Sequence, residues 1–346
     1  MTAPTFVHLN LHTDYSLKDG LCHLDALFEH CLEKEIPALA ITDLNNLFAT
    51  IKFYTSARKN GIKPIIGCDI ECYRSLSEDS KGQLPSRLTL LCQNNIGYRN
   101  LISLISSAYS TGQGILNKPG IAADWLKAHH EGLIVLSGGM EGEVGQAILN
   151  KDLKAAKEYI LDWYSIFGDR YYLEVHKVGF SNEDYYLKEI IQLASELQVP
   201  VVATNKVRFL KANQYEAHEA RVCISEGTLL ADPARVRYYT QEQYLRTEEE
   251  MQKLFAAIPA ALSNSVEIAK RCNVNIALGE YHLPHYPVPD TFTTESYLEH
   301  MAKTGLGNRW PAIVAMRGDE ALQRSDYDER LERELTVING MGYTGY

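Results

Sequence analysis

The stretch HLNLHTDYS, from His8 to Ser16, carries polar side chains at alternate positions, namely His8, Asn10 and His12. Alternate side chains of a β-strand point to the same face, so these three are expected to lie together. Imidazole is the commonest transition-metal ligand in proteins, and the pattern is therefore typical of a metal site. The asparagine in the middle does not fit that interpretation and needs an explanation of its own.

Around this stretch, short apolar runs alternate with amphipathic segments. Strands are predicted at residues 6–13, 38–43, 63–73, 87–94, 133–139, 171–177 and 200–205, and helices at 23–35, 46–61 and 182–199. Repeated β-then-α segments indicate parallel strands joined by crossover helices, and seven strands suit an α/β fold of the distorted (β/α) barrel type. A doubly wound open sheet is the alternative, but no GxGxxG follows an early strand.

The pattern changes after residue 210, where consecutive helices are predicted at 214–227, 241–258 and 259–273. The segment YHLPHYPVPD (281–290) is typical of an extended linker. Helical patterns return at 293–306 and 327–342. We therefore predict a first domain over 1–280, with the barrel in 1–210 and a helical part in 211–280, then the linker 281–290. Residues 291–346 are predicted to be the truncated start of another domain.

Composition excludes several classes of protein. With 34 basic and 44 acidic residues, the net charge is −10, which argues against binding of a nucleic-acid backbone across a broad surface. No apolar run is long enough to span a membrane, and the first ten residues lack the features of a secretory signal. The seven cysteines show no CxxC spacing, so we expect reduced thiols of a cytoplasmic protein.

Carboxylates and imidazoles follow the predicted strands, where barrel proteins place their functional groups. Asp43 follows the second strand and is a candidate general base, or a cap for a helix beginning near Asn46. Glu174 and His176 have the spacing of metal ligands, but a solvated or paired role is the preferred interpretation. Converging groups of this kind are what a polynuclear metal site needs.

Six segments together make the chain recognisable: HLNLHTDYSLKDG, ALAITDLNNL, GIKPIIGCDIE, RLTLLCQNNIGYRNL, LIVLSGGMEGEV and VVATNKVRFL. In this order they resemble the polymerase-and-histidinol-phosphatase (PHP) domain. More closely, the whole chain resembles the N-terminal region of the alpha subunits of bacterial C-family replicative polymerases. The closing ELTVINGMGYTGY is similar to an early part of their palm domain. The resemblance implies a PHP-type distorted seven-stranded barrel followed by a helical extension into the palm.

The resemblance also implies a metal-ligand pattern, which in metal-binding members consists mainly of histidines and acids with one cysteine. The corresponding cleft of this chain consists of Asn10, His12, Asp19, Asp43, Leu44, Asp69, Arg87, Gly139, Lys206 and Arg208. Leucine and glycine offer no side-chain donor, and lysine and arginine repel a cation. We therefore expect a vestigial site without metal, in which an internal salt-bridge network, with a small anion near the guanidinium groups, replaces the cluster.

The function implied by the resemblance belongs to the parent protein, a DNA-directed DNA polymerase. Its palm is expected to use Mg²⁺ held by carboxylates beyond Tyr346, so this fragment is expected to contain no catalytic residue and to bind no cofactor. The implied partners are the proofreading exonuclease subunit, the rest of the polymerase core, the sliding clamp and, through later domains, DNA; no membrane is expected. The alternatives are an active metal-dependent PHP phosphoesterase or 3'-5' exonuclease, and a free-standing scaffold.

Overall fold

The computed structural model of the chain describes residues 4–77, 84–280, 285–317 and 323–346. Two compact units are present: one extends to Ile276 and the other comprises Ala277–Tyr346. The predicted domain boundaries at residues 280 and 290 stay predictions, and residues 281–284 of the predicted linker lie outside the described residues. In the described ranges, every helix is too short or too polar to cross a bilayer.

The first unit is built on seven strands. They are Ala38–Ile41 (β1), Lys63–Tyr73 (β2), Ser86–Cys92 (β3), Ile121–Ala122 (β4), Leu133–Leu136 (β5), Tyr171–Val175 (β6) and Val201–Ala203 (β7). The strand order is β1-β2-β3-β5-β6-β7, with β4 added at β2. Six of the predicted strand segments coincide with these strands, because each is a short apolar run that is buried along almost its whole length.

The sheet is mixed, whereas the sequence pattern predicted only parallel strands. β3 runs antiparallel to both β2 and β5, while the β1–β2, β5–β6 and β6–β7 pairs are parallel. The apolar periodicity of a strand is the same in either direction, so it does not report orientation. The two-residue β4 is also missing from the prediction, since a strand of that length has no period.

The predicted first strand, residues 6–13, forms isolated bridges instead of a continuous ladder. His8 pairs with Leu39 of β1, but Leu11 pairs with Val207, just after β7. The segment bonds to both sides: on the β1 side Ala40 N donates to His8 O (2.9 Å) and Thr42 N donates to Leu11 O (2.8 Å), and on the β7 side His12 N donates to Val207 O (3.0 Å). Because β1 and β7 are the two edges of the sheet, this segment joins them and closes the curled sheet into a barrel.

Helices surround the barrel of the first unit. They are Leu24–Glu33 (α1), Thr50–Lys59 (α2), Asn95–Ser107 (α3), Gln113–Leu116 (α4), Ala123–Ala128 (α5), Glu143–Leu149 (α6), Leu153–Phe167 (α7), Glu183–Leu197 (α8), Tyr215–Glu226 (α9), Glu248–Leu254 (α10) and Pro259–Arg271 (α11). The predicted helix 241–258 is shortened to α10. Thr247 caps α10 in a reciprocal capping box with Glu250, and the residues before it are extended, since Tyr244 pairs with Phe209.

The N-terminal segment separates an apolar side from a polar side. Leu9 is fully buried in a cluster with Ala40, Ile65 and Ile268, so its side chain lies beneath α11. Burial of a leucine side chain of this kind contributes about 1.5–3 kcal/mol. The alternate residues Asn10 and His12 therefore point away from that cluster, into the barrel.

The second unit contains Thr294–Arg317 (α12) and Arg324–Gly340 (α13). Trp310 and Tyr327 meet edge to face with ring centroids 5.3 Å apart, and Lys303 pairs with Glu332 at 2.6 Å. Leu335 of α13 is buried.

Candidate functional site

The polar side of the barrel contains a network of charged side chains around His12. The imidazole is fully buried, with Nδ1 2.7 Å from Asp19 Oδ1 and Nε2 2.8 Å from Asp69 Oδ2. An ionised carboxylate only accepts hydrogen bonds, so both ring nitrogens donate and the ring is an imidazolium. Burial and Arg208 lower the pKa of His12, but Asp19 and Asp69 outweigh both, and the pKa is raised.

Arg208 provides the second buried cation of this network. Its Nε lies 3.2 Å from Asp19 Oδ2 and its Nη2 lies 3.7 Å from Asp69 Oδ2. Burial alone would raise the pKa of each carboxyl group. His12 and Arg208 reverse that effect, so the pKa of Asp69 is lowered and that of Asp19 falls well below its usual value. Both acids are therefore ionised and paired.

The side chain of Asn10 forms hydrogen bonds with both an acid and a base of the network. Its Nδ2 donates to Asp69 Oδ1 (3.0 Å) and to Thr89 Oγ1 (3.0 Å), while its Oδ1 accepts from Arg208 Nη1 (3.1 Å). A side-chain amide has both a donor and an acceptor, and here both are used. This answers the question that the sequence raised, because the position requires an amide in a site of paired ions.

Asp19 is also held by the helical part of the first unit. Its backbone oxygen accepts from His218 Nε2 (2.8 Å) on α9, and its Oδ2 accepts from the Tyr239 hydroxyl (3.1 Å). Ser16 Oγ donates to Asp19 Oδ1 at 2.9 Å. The network thus joins the N-terminal segment and the barrel to the residues that follow β7.

Lys206 forms a separate ion pair with Glu141, which lies in the short helical turn Gly139–Glu141. Burial raises the pKa of Glu141, but Lys206 and Arg87 outweigh it, and the pKa is lowered. Glu141 could not be predicted as a site residue although it lies in the GGMEGEV segment, because its partner is 65 residues away. Thr89 was missed for the same reason.

Arg87 lies on β3 but does not join an ion pair with any described residue. Its Nη1 is buried and has no hydrogen-bond partner among those residues. Burial lowers the pKa of Arg87, but the negative charges of Glu141 and Asp69 outweigh it, so the guanidinium stays charged. The cleft therefore brings all three predicted cations together, although only Lys206 and Arg208 are paired.

Asp43 does not cap a helix, and its alternative role as a general base stays a prediction. Its carboxylate accepts from Thr13 N (2.6 Å) and Thr13 Oγ1 (2.8 Å), and α2 begins only at Thr50, so the helix-cap prediction is wrong. Burial raises its pKa to about 6. The neighbouring Leu44 contributes only its backbone, whose amide donates to Ser16 Oγ at 3.2 Å.

The space beside the Cα of Gly139 is filled by the ring of His176. A Cβ at Gly139 would lie 2.4 Å from His176 Cε1, and the φ of +60° is also unfavourable for any other residue. His176 thus fills the space that a side chain at position 139 would need. Burial lowers the pKa of His176 to about 3, so the ring is neutral.

Glu174 and His176 are both fully buried, so of the predicted solvated or paired role only the paired alternative remains. Glu174 accepts from Thr204 Oγ1 at 2.6 Å, and burial raises its pKa. His176 stacks on Tyr186 with centroids 6.0 Å apart; its ring nitrogens have no hydrogen-bond partner within the described ranges, and Nε2 lies 4.0 Å from Glu183 Oε1. This pair belongs to the interior packing of the barrel.

These residues do not fit a divalent-metal cluster. Both nitrogens of His12 are engaged by carboxylates, and the side chains of Lys206 and Arg208 bring positive charge into the cleft. Among the described residues, no group of three or more histidines, cysteines, aspartates and glutamates is arranged to hold a metal ion. The arrangement shown is one of internal charge compensation.

Comparisons with known proteins agree with this architecture. The family model described as PHP domain matches residues 8–178. The chain is 46% identical over 348 aligned residues to the DNA polymerase III subunit alpha of Escherichia coli K12, and 44% identical over 346 to that of Vibrio cholerae. Each alignment covers 100% of this chain and 29% of the relative.

A solved structure, that of a proposed metal-dependent phosphoesterase from Bifidobacterium adolescentis, is 10% identical with a TM-score of 0.39. The alignment covers 58% of this chain and 86% of that structure's chain, a likeness too low to support any conclusion.

The chain spans 29% of the length of the polymerase subunits that it matches. It carries a PHP domain, and by its sequence it belongs with the N-terminal region of bacterial DNA polymerase III alpha subunits.

Proposed function

We propose that this chain serves as the N-terminal part of a replicative DNA polymerase alpha subunit in the cytoplasm. The identity of 41–46% to DNA polymerase III alpha subunits over essentially the whole chain supports the proposal. The complete protein would transfer deoxynucleotides with Mg²⁺ held by palm carboxylates outside these 346 residues. We expect no nucleotide incorporation by this chain alone on a primed template, and processive synthesis by this chain would contradict the proposal.

The second part of the proposal is that the PHP cleft is a metal-free structural element. The observation that carries it is the buried His12, whose two nitrogens are bound by Asp19 and Asp69, the same acids that Arg208 faces. An ion entering here would have to displace the imidazolium and approach a guanidinium. Removing the cations alone would leave the buried acids without compensating charge and would destabilise the barrel.

Metal content and hydrolytic activity test this part. The chain, purified without chelator and then supplied with Mn²⁺ or Zn²⁺, is assayed for bound metal and for hydrolysis of a phosphomonoester and of single-stranded DNA. We expect neither stoichiometric metal nor turnover. The alternative function, an active PHP phosphoesterase or exonuclease, would be established by turnover that Asp19→Asn abolishes and the exposed control Asp124→Asn leaves intact.

The third part is that this barrel docks the separate proofreading exonuclease subunit and supports the polymerase core, which in turn works with the sliding clamp. It rests on the likeness to polymerase III alpha subunits, which are by name subunits of a larger assembly. The test is co-elution of the 346-residue chain with the exonuclease subunit on a sizing column. Separate elution at micromolar concentration would refute docking without affecting the metal-free cleft.

A further inference from the structure

The segment that follows α9 is not packed into the first unit. From residue 224 to residue 238, every residue except Arg235 is exposed. The exposed large apolar side chains in this range are those of Ile224, Leu229, Leu230, Val236 and Tyr238. Because these side chains remain in contact with water, apolar burial does not hold the segment in place.

Both ends of the segment are fixed. At its start, α9 is terminated by Gly227, which has a left-handed φ of +67°. At its end, the Tyr239 hydroxyl donates to Asp19 Oδ2 (3.1 Å), and the Tyr239 backbone oxygen accepts from the Tyr215 hydroxyl (3.0 Å). We call residues 229–238, which lie between these ends, the strap.

One side chain joins the strap to the rest of the first unit. Arg235 Nη2 lies 2.6 Å from Glu219 Oε2 on α9, and both side chains are almost completely buried. The other hydrogen bonds of the strap are internal, such as those from Arg235 N to Asp232 O (3.2 Å) and from Ala234 N to Asp232 Oδ1 (2.8 Å). Within the described ranges, no further hydrogen bond or ion pair connects residues 229–238 to another element.

An element held by one ion pair opens at a low cost in free energy. Local opening is easiest where few apolar contacts are buried, and the strap buries little apolar surface. Opening returns the Arg235 guanidinium to water and leaves the strands and helices of the barrel in place. Because Tyr239 lies beyond the strap, its hydrogen bond to Asp19 is kept.

We propose that the strap opens and closes on the folded barrel, with the Arg235–Glu219 pair as its latch. The fixed ends at Gly227 and Tyr239 serve as the hinges. Tyr238 lines a cleft of about 630 Å³ in the first unit, so opening of the strap moves one residue out of the cleft wall. The latch therefore controls how wide the mouth of this cleft is.

Limited proteolysis of the 346-residue chain with chymotrypsin tests the proposal, because Tyr238 is a cleavage site within the strap. When opening and closing are fast relative to cleavage, the cleavage rate follows the population of the open form. We expect Glu219→Gln to speed cleavage after Tyr238 by about tenfold, since the latch loses a charge-assisted hydrogen bond. Glu216→Gln is the matched control, because Glu216 is exposed on the same helix and has no ion pair among the described residues. Equal rates in the two variants would overturn the proposal.

Arg235→Ala removes the same latch from the strap side. It should speed cleavage after Tyr238 by a similar factor. Its combination with Glu219→Gln should add little, because both changes break one contact. Factors that multiply in the double variant would contradict the latch.

The urea midpoint distinguishes strap opening from a loss of folding. Opening of the strap exposes little surface, so the midpoint of Arg235→Ala should match that of the wild type, and the buried Tyr171 should stay uncleaved. A lower midpoint, with cleavage after Tyr171 rising in parallel with cleavage after Tyr238, would show that the ion pair holds the barrel together. That result would overturn the proposal.

Discussion

Replacing Arg208 by methionine tests whether buried ion pairs hold the barrel closed. Methionine keeps much of the apolar stem but removes the guanidinium, which faces Asp19 at 3.2 Å and Asp69 at 3.7 Å and donates to Asn10 at 3.1 Å. All of these side chains are buried. Breaking a buried pair by removing one partner costs about 3–5 kcal/mol of unfolding free energy, because the remaining charge is left unpaired.

Urea unfolding measures this loss. A Trp310→Phe background restricts tryptophan fluorescence to Trp125 and Trp163, which both belong to the first unit. The matched control is Lys157→Met, because Lys157 pairs with Glu196 at the surface, where an ion pair contributes at most about 1 kcal/mol. A shift of the unfolding midpoint at constant slope then reports the change in stability.

Asp19→Asn provides the second side of a double-mutant cycle. With Arg208 replaced, Asp19 and Asp69 share the single positive charge of His12. Adding Asp19→Asn removes the excess negative charge, so it should recover part of the lost stability and the two changes should not be additive. The reasoning is refuted if Arg208→Met costs no more than Lys157→Met, or if the two substitutions add fully.

Three further predictions concern single positions. The pKa of His12 is raised, so its contribution is complete below its unfolded value of about 6.5 and is lost as the pH rises through the folded value; wild type should therefore lose more unfolding free energy than His12→Gln as the pH rises above about 6.5. The pKa of Asp43 is raised from 3.8 to about 6, which makes the folded state lose stability as the pH rises through that window; Asp43→Asn should abolish this loss in the same urea assay. Gly139→Ala should cost about 2–5 kcal/mol, from the positive φ and the contact with His176; Gly61→Ala, with φ +72° and open space around it, should cost only the φ contribution, and equal midpoints would refute the steric argument.

Much of the fold could be predicted because β1 to β7, apart from β4, are short apolar runs between helical patterns. The direction of β3 could not, since residues 86–92 have the same pattern whether they run parallel or antiparallel. Segment 6–13 was predicted as a strand from its alternation. It alternates because it lies between two surfaces, but it forms isolated bridges with both Leu39 and Val207 instead of one continuous ladder.

The presence of a compensating charge network could be predicted, but not which residues form its ion pairs. The family resemblance placed Asp19, Asp69 and the basic residues in one cleft, which indicated that basic side chains compensate the acids, and the structure places Arg208 against both. The sequence did not indicate that Arg87 is left without an ion pair among the described residues. That outcome depends on the position of Glu141, which pairs with Lys206 instead. Which charged side chains pair depends on the distances between secondary-structure elements, and a single sequence does not give those distances.

Position 10 shows why the acids of this cleft and its cations have to be considered as one unit. A histidine at Asn10 could not replace both functions of the amide. As an imidazolium it could donate to Asp69 but would repel Arg208, and as a neutral ring it would have only one donor and one acceptor nitrogen in a fixed geometry. The amide instead donates to Asp69 and accepts from Arg208 with its oxygen, without adding charge. The asparagine that looks anomalous among metal ligands is therefore the residue type that a buried guanidinium and carboxylate require between them.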